Sequence, residues 1–199
     1  VTPPPLEENF PRRGLWGPEG RAINQGLDFQ LGSGGRFAVW YTYDELGRPT
    51  FYITDTVAFD PTDPFFRAAL FRPTSNDVRS NLEVVGEVQV TTIAEDRFMF
   101  AWRLNGHHGA ELFEPVNGTT CPTLDATETP LLGHWFSPTT AAGGVTLLIT
   151  GSSEAWIRYY YDDLNRPRWV LADPELESST LPGGSLMEVL GFRGFCIYC

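Results

Sequence analysis

Three kinds of side chain in this sequence could carry chemistry. Thiols come first: Cys196-Ile197-Tyr198-Cys199 is a C-x-x-C pair, and Cys121 stands apart from it. Dithiol redox chemistry needs that motif at a helix start within a βαβ unit, and the neighbouring sequence offers neither. The expected role is structural, with one disulfide joining Cys121 to Cys196 or to Cys199. A Cys121–Cys196 bridge would close a loop of about 75 residues, for which chain entropy gives up to ~4.5 kcal/mol. The odd thiol is then left to pair between chains. Imidazoles come second: His107 and His108 adjoin in a turn, and His134 sits within Gly133-His134-Trp135. Their spacing matches no zinc site, so no metal ligand is assigned. Carboxylates come third, as the pairs Asp44/Glu45 and Asp162/Asp163 at two equivalent turns. Such a pair could hold calcium or act as general acid and base. Neighbours in a turn usually point apart, however, and Asp favours turn starts because its side chain bonds nearby backbone. The expectation is therefore structural, with Arg48 and Arg166 pairing with Asp44 and Asp162 or stacking on nearby rings.

Composition removes several classes of function. All 14 basic residues are Arg, and there is no Lys. Schiff-base and pyridoxal lysine chemistry is excluded, as is a phosphate-binding loop lysine. No G-x-S-x-G nucleophile turn is present. No catalytic residue and no cofactor site is assigned, and the chain is expected not to be an enzyme. Net charge is −11, from 25 acidic and 14 basic residues. A negative field argues against nucleic acid and against an anionic membrane surface. No apolar run approaches the roughly 20 residues of a membrane-spanning helix. The first residue is Val1 rather than Met, which leads us to expect a cleaved signal peptide or a trimmed chain.

The elements that position these residues are β-strands. Arg36 to Thr54, RFAVWYTYDELGRPTFYIT, reads as a hairpin: two aromatic and β-branched runs flank a Gly/Pro turn. The same design returns 118 residues later as Glu154 to Ala172, EAWIRYYYDDLNRPRWVLA. Tyr41, Tyr43, Asp44, Leu46, Arg48 and Pro49 recur as Tyr159, Tyr161, Asp162, Leu164, Arg166 and Pro167. Phe37, Val39, Tyr41 and Tyr43 line one face of the first strand, and Ala38, Trp40 and Thr42 the other. Bulk on both faces predicts a central strand covered on both sides. The first face is expected to be core. Trp40, with Trp156, is expected to meet a second layer or a partner; Arg158 stands where the first copy has Trp40. Gly26 to Leu31 and Gly144 to Ile149 align as a further pair of strands. Asp60 to Phe71 is ambiguous: Asp63-Pro64 is a helix start signal, while the duplicated design favours a strand. Gly86 to Ile93 and Arg97 to Leu104 alternate as strands do.

The predicted organisation is all-β, in antiparallel meander sheets of barrel-like or sandwich-like form, with two related units in tandem. Residues 1–13, with four prolines, form an extended arm. Residues 14–116 form the first unit, 117–130 a linker, and 131–199 a second, shortened unit. That unit has no clear counterpart of the Gly86 to Val116 hairpin.

Gly14-x-Trp16, Trp40-Tyr41-Thr42-Tyr43-Asp44-x-x-Gly47-Arg48-Pro49-x-Phe51-Tyr52 and Trp102-x-x-Asn105-Gly106 carry a family resemblance. The chain resembles a functionally uncharacterised group of bacterial exported repeat proteins with a G-x-W start and a W-[FY]-T-Y-D-x-x-G-x-P hairpin. The resemblance implies an exported β protein in the periplasm, at the cell surface or outside the cell. It also implies a Cys before the second repeat and another near the chain end, places that Cys121 and Cys196 or Cys199 fit. The G-x-W opening of a strand meander also resembles lipocalin and avidin barrels. The functional expectation is an accessory or structural subunit that binds other proteins or self-associates, with Trp40, Trp156 and Arg158 as the candidate surface. A module for glycans or small hydrophobic molecules is the alternative; six Trp, seven Tyr and 14 Phe supply rings for stacking.

Overall fold

The computed structural model describes residues 11, 14–20, 25–32, 34–58, 65–74, 82–94, 96–116, 123–124, 127–128, 133–136, 143–150, 153–172, 179–181, 184–186 and 189–190. The chain is all-β, with no helix among these residues. None of the described residues forms a helix long and apolar enough to cross a membrane.

Eight strands come first: β1 (Gly14–Pro18), β2 (Gly26–Gly32), β3 (Gly35–Tyr43), β4 (Pro49–Thr54), β5 (Phe65–Arg72), β6 (Glu83–Ala94), β7 (Arg97–Leu104) and β8 (His107–Pro115). Each pairs antiparallel with the next, and β1 returns to β8, so the sheet closes into a barrel. Trp16 opposite Pro115 and Pro18 opposite Phe113 form the seam.

Alternation explains both walls. Leu27 and Phe29 of β2, Ala38 and Trp40 of β3, Phe66, Ala68 and Leu70 of β5, and Phe98, Phe100, Trp102 and Leu104 of β7 all face inward in one buried cluster. An eight-stranded barrel is just wide enough for side chains to fill. Here rings fill it: Trp40 meets Phe100 at 5.1 Å and Trp102 at 5.5 Å, and Phe29 meets Phe66 edge-on at 5.3 Å. Trp102 in turn lies over Gly109, its cross-strand partner, where any Cβ would strike the indole. Arg67, Glu87 and Arg103 face out and are exposed, the reverse of the alternation that suits lipid.

The ambiguous stretch is a strand. β5 pairs with β6 over Phe65↔Thr91 to Arg72↔Glu83, and a period of two puts Phe66, Ala68 and Leu70 into the lumen. The Asp63-Pro64 signal lies outside the described residues. The turn expected to hold His107 and His108, Asn105 to Gly109, is shorter than the sequence suggested. Asn105 (φ 50°) and Gly106 (φ 85°) alone make the turn, as in a type I′ hairpin. His107 and His108 therefore belong to β8 and point to opposite faces. Within the segment expected to be a linker, Thr123–Leu124 (β9) and Thr127–Glu128 (β10) pair with each other.

A second sheet follows, made of β11 (Gly133–Phe136), β12 (Gly144–Thr150), β13 (Ser153–Tyr161), β14 (Pro167–Ala172) and, beyond a ribbon of β15 (Ser179–Leu181) and β16 (Gly184–Leu186), β17 (Val189–Leu190). Its register repeats that of the barrel. Gly26↔Tyr41 becomes Gly144↔Tyr159, Tyr41↔Phe51 becomes Tyr159↔Trp169, and Ile53↔Phe71 becomes Leu171↔Leu190. The copy therefore runs through five strands. In the second sheet these five strands form an open sheet, whereas in the first unit they are part of a closed barrel.

One expectation is corrected. Trp40 was expected to meet a second layer or a partner; it is 0% exposed inside the barrel. Tyr41, Tyr43 and Val39 instead meet the second sheet. Both faces of β3 are bulky, so the sequence does not reveal which one is the lumen.

Candidate functional site

The two repeated hairpins pack against each other reciprocally. Phe51 contacts Tyr159 (5.5 Å) and Tyr161 (6.0 Å); its counterpart Trp169 contacts Tyr41 (6.0 Å) and Tyr43 (5.8 Å). Equivalent residues thus exchange equivalent contacts, as across the two-fold axis of a homodimer. Trp169 Nε1 adds a hydrogen bond of 3.0 Å to the Thr42 carbonyl.

A buried polar chain crosses this interface. Gln30 Nε2 donates to Asp28 Oδ1 at 2.8 Å, and Asp28 Oδ2 lies 3.0 Å from His134 Nε2. That last approach is too oblique for a straight hydrogen bond, so its strength is mainly Coulombic. On the other ring nitrogen, His134 Nδ1 is 2.7 Å from Thr146 Oγ1, which is 3.0 Å from the Tyr41 hydroxyl. One proton placement serves the whole run: Tyr41 donates to Thr146, Thr146 to Nδ1, and Nε2–H faces Asp28. Burial pushes the Tyr41 phenol well above its ordinary pKa, with Asp28 adding to the rise and the Thr146 bond opposing it. Tyr159, beside His134, is pushed up by its own burial, with Tyr161 and Asp28 adding.

Hydroxyl, imidazole and carboxylate in series is the order used to activate a nucleophile. Here no substrate can reach it. Asp28 and Thr146 are 0% exposed and Tyr41 2%. The chain acts as an interlock between barrel and second sheet. No local pattern announces it, because Asp28, His134 and Thr146 meet only through the tertiary pairing of the two repeats.

At one end of the interface the two turns lie side by side. Asp44 Oδ1 accepts the amides of Leu46 and Arg48, and Asp162 Oδ1 those of Leu164 and Arg166, all at 3.0 Å. Gly47 (φ 68°) and Asn165 (φ 57°) supply the left-handed residue that closes each loop. Arg48 and Arg166 pair with their own Asp at 2.8 Å, as expected. The buried Arg168 joins the turns: Nε reaches Asp162 Oδ2 at 3.0 Å, and Nη1 reaches the Pro49 carbonyl at 3.1 Å and Asp44 Oδ2 at 3.3 Å.

Burial alone would raise the Asp162 pKa, but the amides of Arg166 and Leu164 and the two guanidiniums outweigh it and hold the group at about 2. The Asp44 pKa is lowered in the same way. A carboxyl depressed on folding stabilises above its unfolded pKa and loses that contribution as pH falls through the folded one. The thermal midpoint is therefore expected to fall between about pH 4 and pH 2, and Asp162→Asn is expected to shrink that fall. A pH series of melting curves on the two proteins checks it.

The second sheet has a face turned away from the barrel. The row Trp135, Val145, Arg158, Val170 crosses it strand by strand, and cross-strand partners share a face. Trp156 and Tyr160 flank Arg158 on the same strand and face. In the first repeat this face is the barrel lumen. Trp16 is 3% exposed there, while its counterpart Trp135 is 51% exposed; Trp40 is sealed, while its counterpart Arg158 is exposed. Every other arginine with a described side chain is hydrogen-bonded or ion-paired. Arg158 has no such partner among the described residues.

Of the residues singled out from sequence, Trp156 and Arg158 therefore share this face, and Trp40 does not. Cys121, Cys196 and Cys199 lie outside the described residues. Among the described residues no cluster of three or more His, Cys, Asp and Glu could hold a metal. No protein-family model, no curated protein and no solved structure matches this chain.

Proposed function

We propose that this chain is a non-enzymatic accessory protein that binds another protein, with the closed barrel as scaffold and the second sheet as the binding element. The observation that carries this is the contrast between equivalent faces. A ring-filled lumen in the first copy becomes, in the second, a surface with Trp135 half exposed and Arg158 exposed, without a hydrogen-bond or ion-pair partner among the described residues. Aromatic residues and Arg are the side chains enriched at interface centres. The filled barrel speaks against a small hydrophobic ligand held as in a hollow barrel. Export, implied by the resemblance to bacterial exported repeat proteins, belongs to the same reading.

The test uses the full chain as bait in extract of its source organism, beside Trp135→Ala and Arg158→Ala. One defined protein retained by the native chain and lost at least ten-fold by both variants is the expected result. Equal retention by all three, with light scattering showing a monomer, overturns the reading. A glycan module would instead hold immobilised saccharide through Trp135 while retaining no protein.

A further inference from the structure

Resting on that reading, we propose the chemistry of the partner: a β-hairpin whose apolar face covers the Trp135–Val145–Arg158–Val170 row and sets one carboxylate against Arg158. The molecule contains the template for such a cover. In the first repeat the same face, at the same register, is covered by the inward side chains of β6 to β8. There Trp40 is capped by Phe100 and Trp102. The second repeat keeps the strand pairing and puts Trp135 where Trp16 stands, with Val145 for Leu27, Arg158 for Trp40 and Val170 for Tyr52. Opposite Arg158, the one position where a ring becomes a cation, the complement should change from a ring to a carboxylate.

Arg158 also has no described acidic neighbour to satisfy it, in a chain whose net charge is −11. A guanidinium set among rings and valines is a site that a carboxylate can bind bidentately while the rings exclude water. A second copy of this chain meeting face to face would bring Arg158 against Arg158, so self-pairing through this face is disfavoured.

The probe is a backbone-cyclised peptide of residues 97–115, which holds the hairpin that would be marginal alone. It is made with the native sequence, with Phe100→Glu and with Phe100→Lys, and is titrated by fluorescence anisotropy against the full chain. The Phe100→Glu peptide is expected to bind at least ten-fold tighter than the native one. Arg158→Glu in the full chain should abolish that preference and transfer it to the Phe100→Lys peptide. Trp135→Ala should weaken binding of the Phe100→Glu peptide about ten-fold. Absence of binding, or binding indifferent to Arg158→Glu, overturns the proposal. If the peptides fail while the bait still retains its protein in a Trp135-dependent manner, the hairpin chemistry falls and the protein-binding function stands. If Trp135→Ala changes nothing in either experiment, both fall.

Discussion

Replacing Trp40 by alanine is expected to cost about 3–5 kcal/mol, whereas Arg158→Ala at the equivalent position should stay within about 0.5 kcal/mol. The two residues share one place in the repeat and differ in what covers them. Trp40 is sealed in the lumen, touches Tyr52, Phe100 and Trp102, and donates Nε1–H to Gln25 Oε1 at 3.0 Å. Alanine there leaves a cavity and an unpaired buried amide, and the rigid wall of a closed barrel cannot collapse to fill it. Domains of this size have about 5–15 kcal/mol in total, so the loss would be a large part of the whole. Urea denaturation of both variants reads the contrast directly. Similar losses for the two would mean that the second sheet is as enclosed as the first.

The second large effect belongs to the interlock. His134→Leu alone removes the Nε2–H that faces the buried Asp28 Oδ2 and the acceptor that Thr146 Oγ1 uses, and a buried polar group left unpaired costs about 1–3 kcal/mol. The first repeat indicates how to repair it. Leu15 stands at the position equivalent to His134, and Thr146 at the position equivalent to Asp28. His134→Leu combined with Asp28→Thr is therefore expected to recover at least half of the loss. A double-mutant cycle in denaturant measures the coupling. Additive losses would mean that the His134–Asp28 approach contributes nothing specific.

Much of the architecture was legible because the duplicated hairpin carries its own register. Tyr41, Asp44, Arg48 and Pro49 recur with Asp162, Arg166 and their neighbours in the same order, and the turns they make agree bond for bond. Strand β5 was harder. Asp63-Pro64 reads as a helix start from local chemistry alone, and only the pairing with β6 decides otherwise. The two faces of β3 could not be told apart, since a strand between a lumen and a second sheet is apolar on both sides. Arg158 stood out in the sequence as the break in the repeat. What could not be read was that the break falls on a face where Arg158 and Trp135 are exposed, because sheet closure depends on contacts between residues far apart in the chain. The Asp28–His134–Thr146 chain was hidden for the same reason.

The barrel seam bears on how the molecule reaches its final form. Trp16 and Pro115 face each other across it, so the first strand must wait for the last before the cylinder can shut. Contacts at such separation place a protein among the slow, millisecond-to-second folders. Until the ends meet, β1 and β8 each present an unsatisfied edge that a neighbouring chain could occupy. Yield on refolding, more than final stability, should therefore depend on the short run from Gly14 to Pro18.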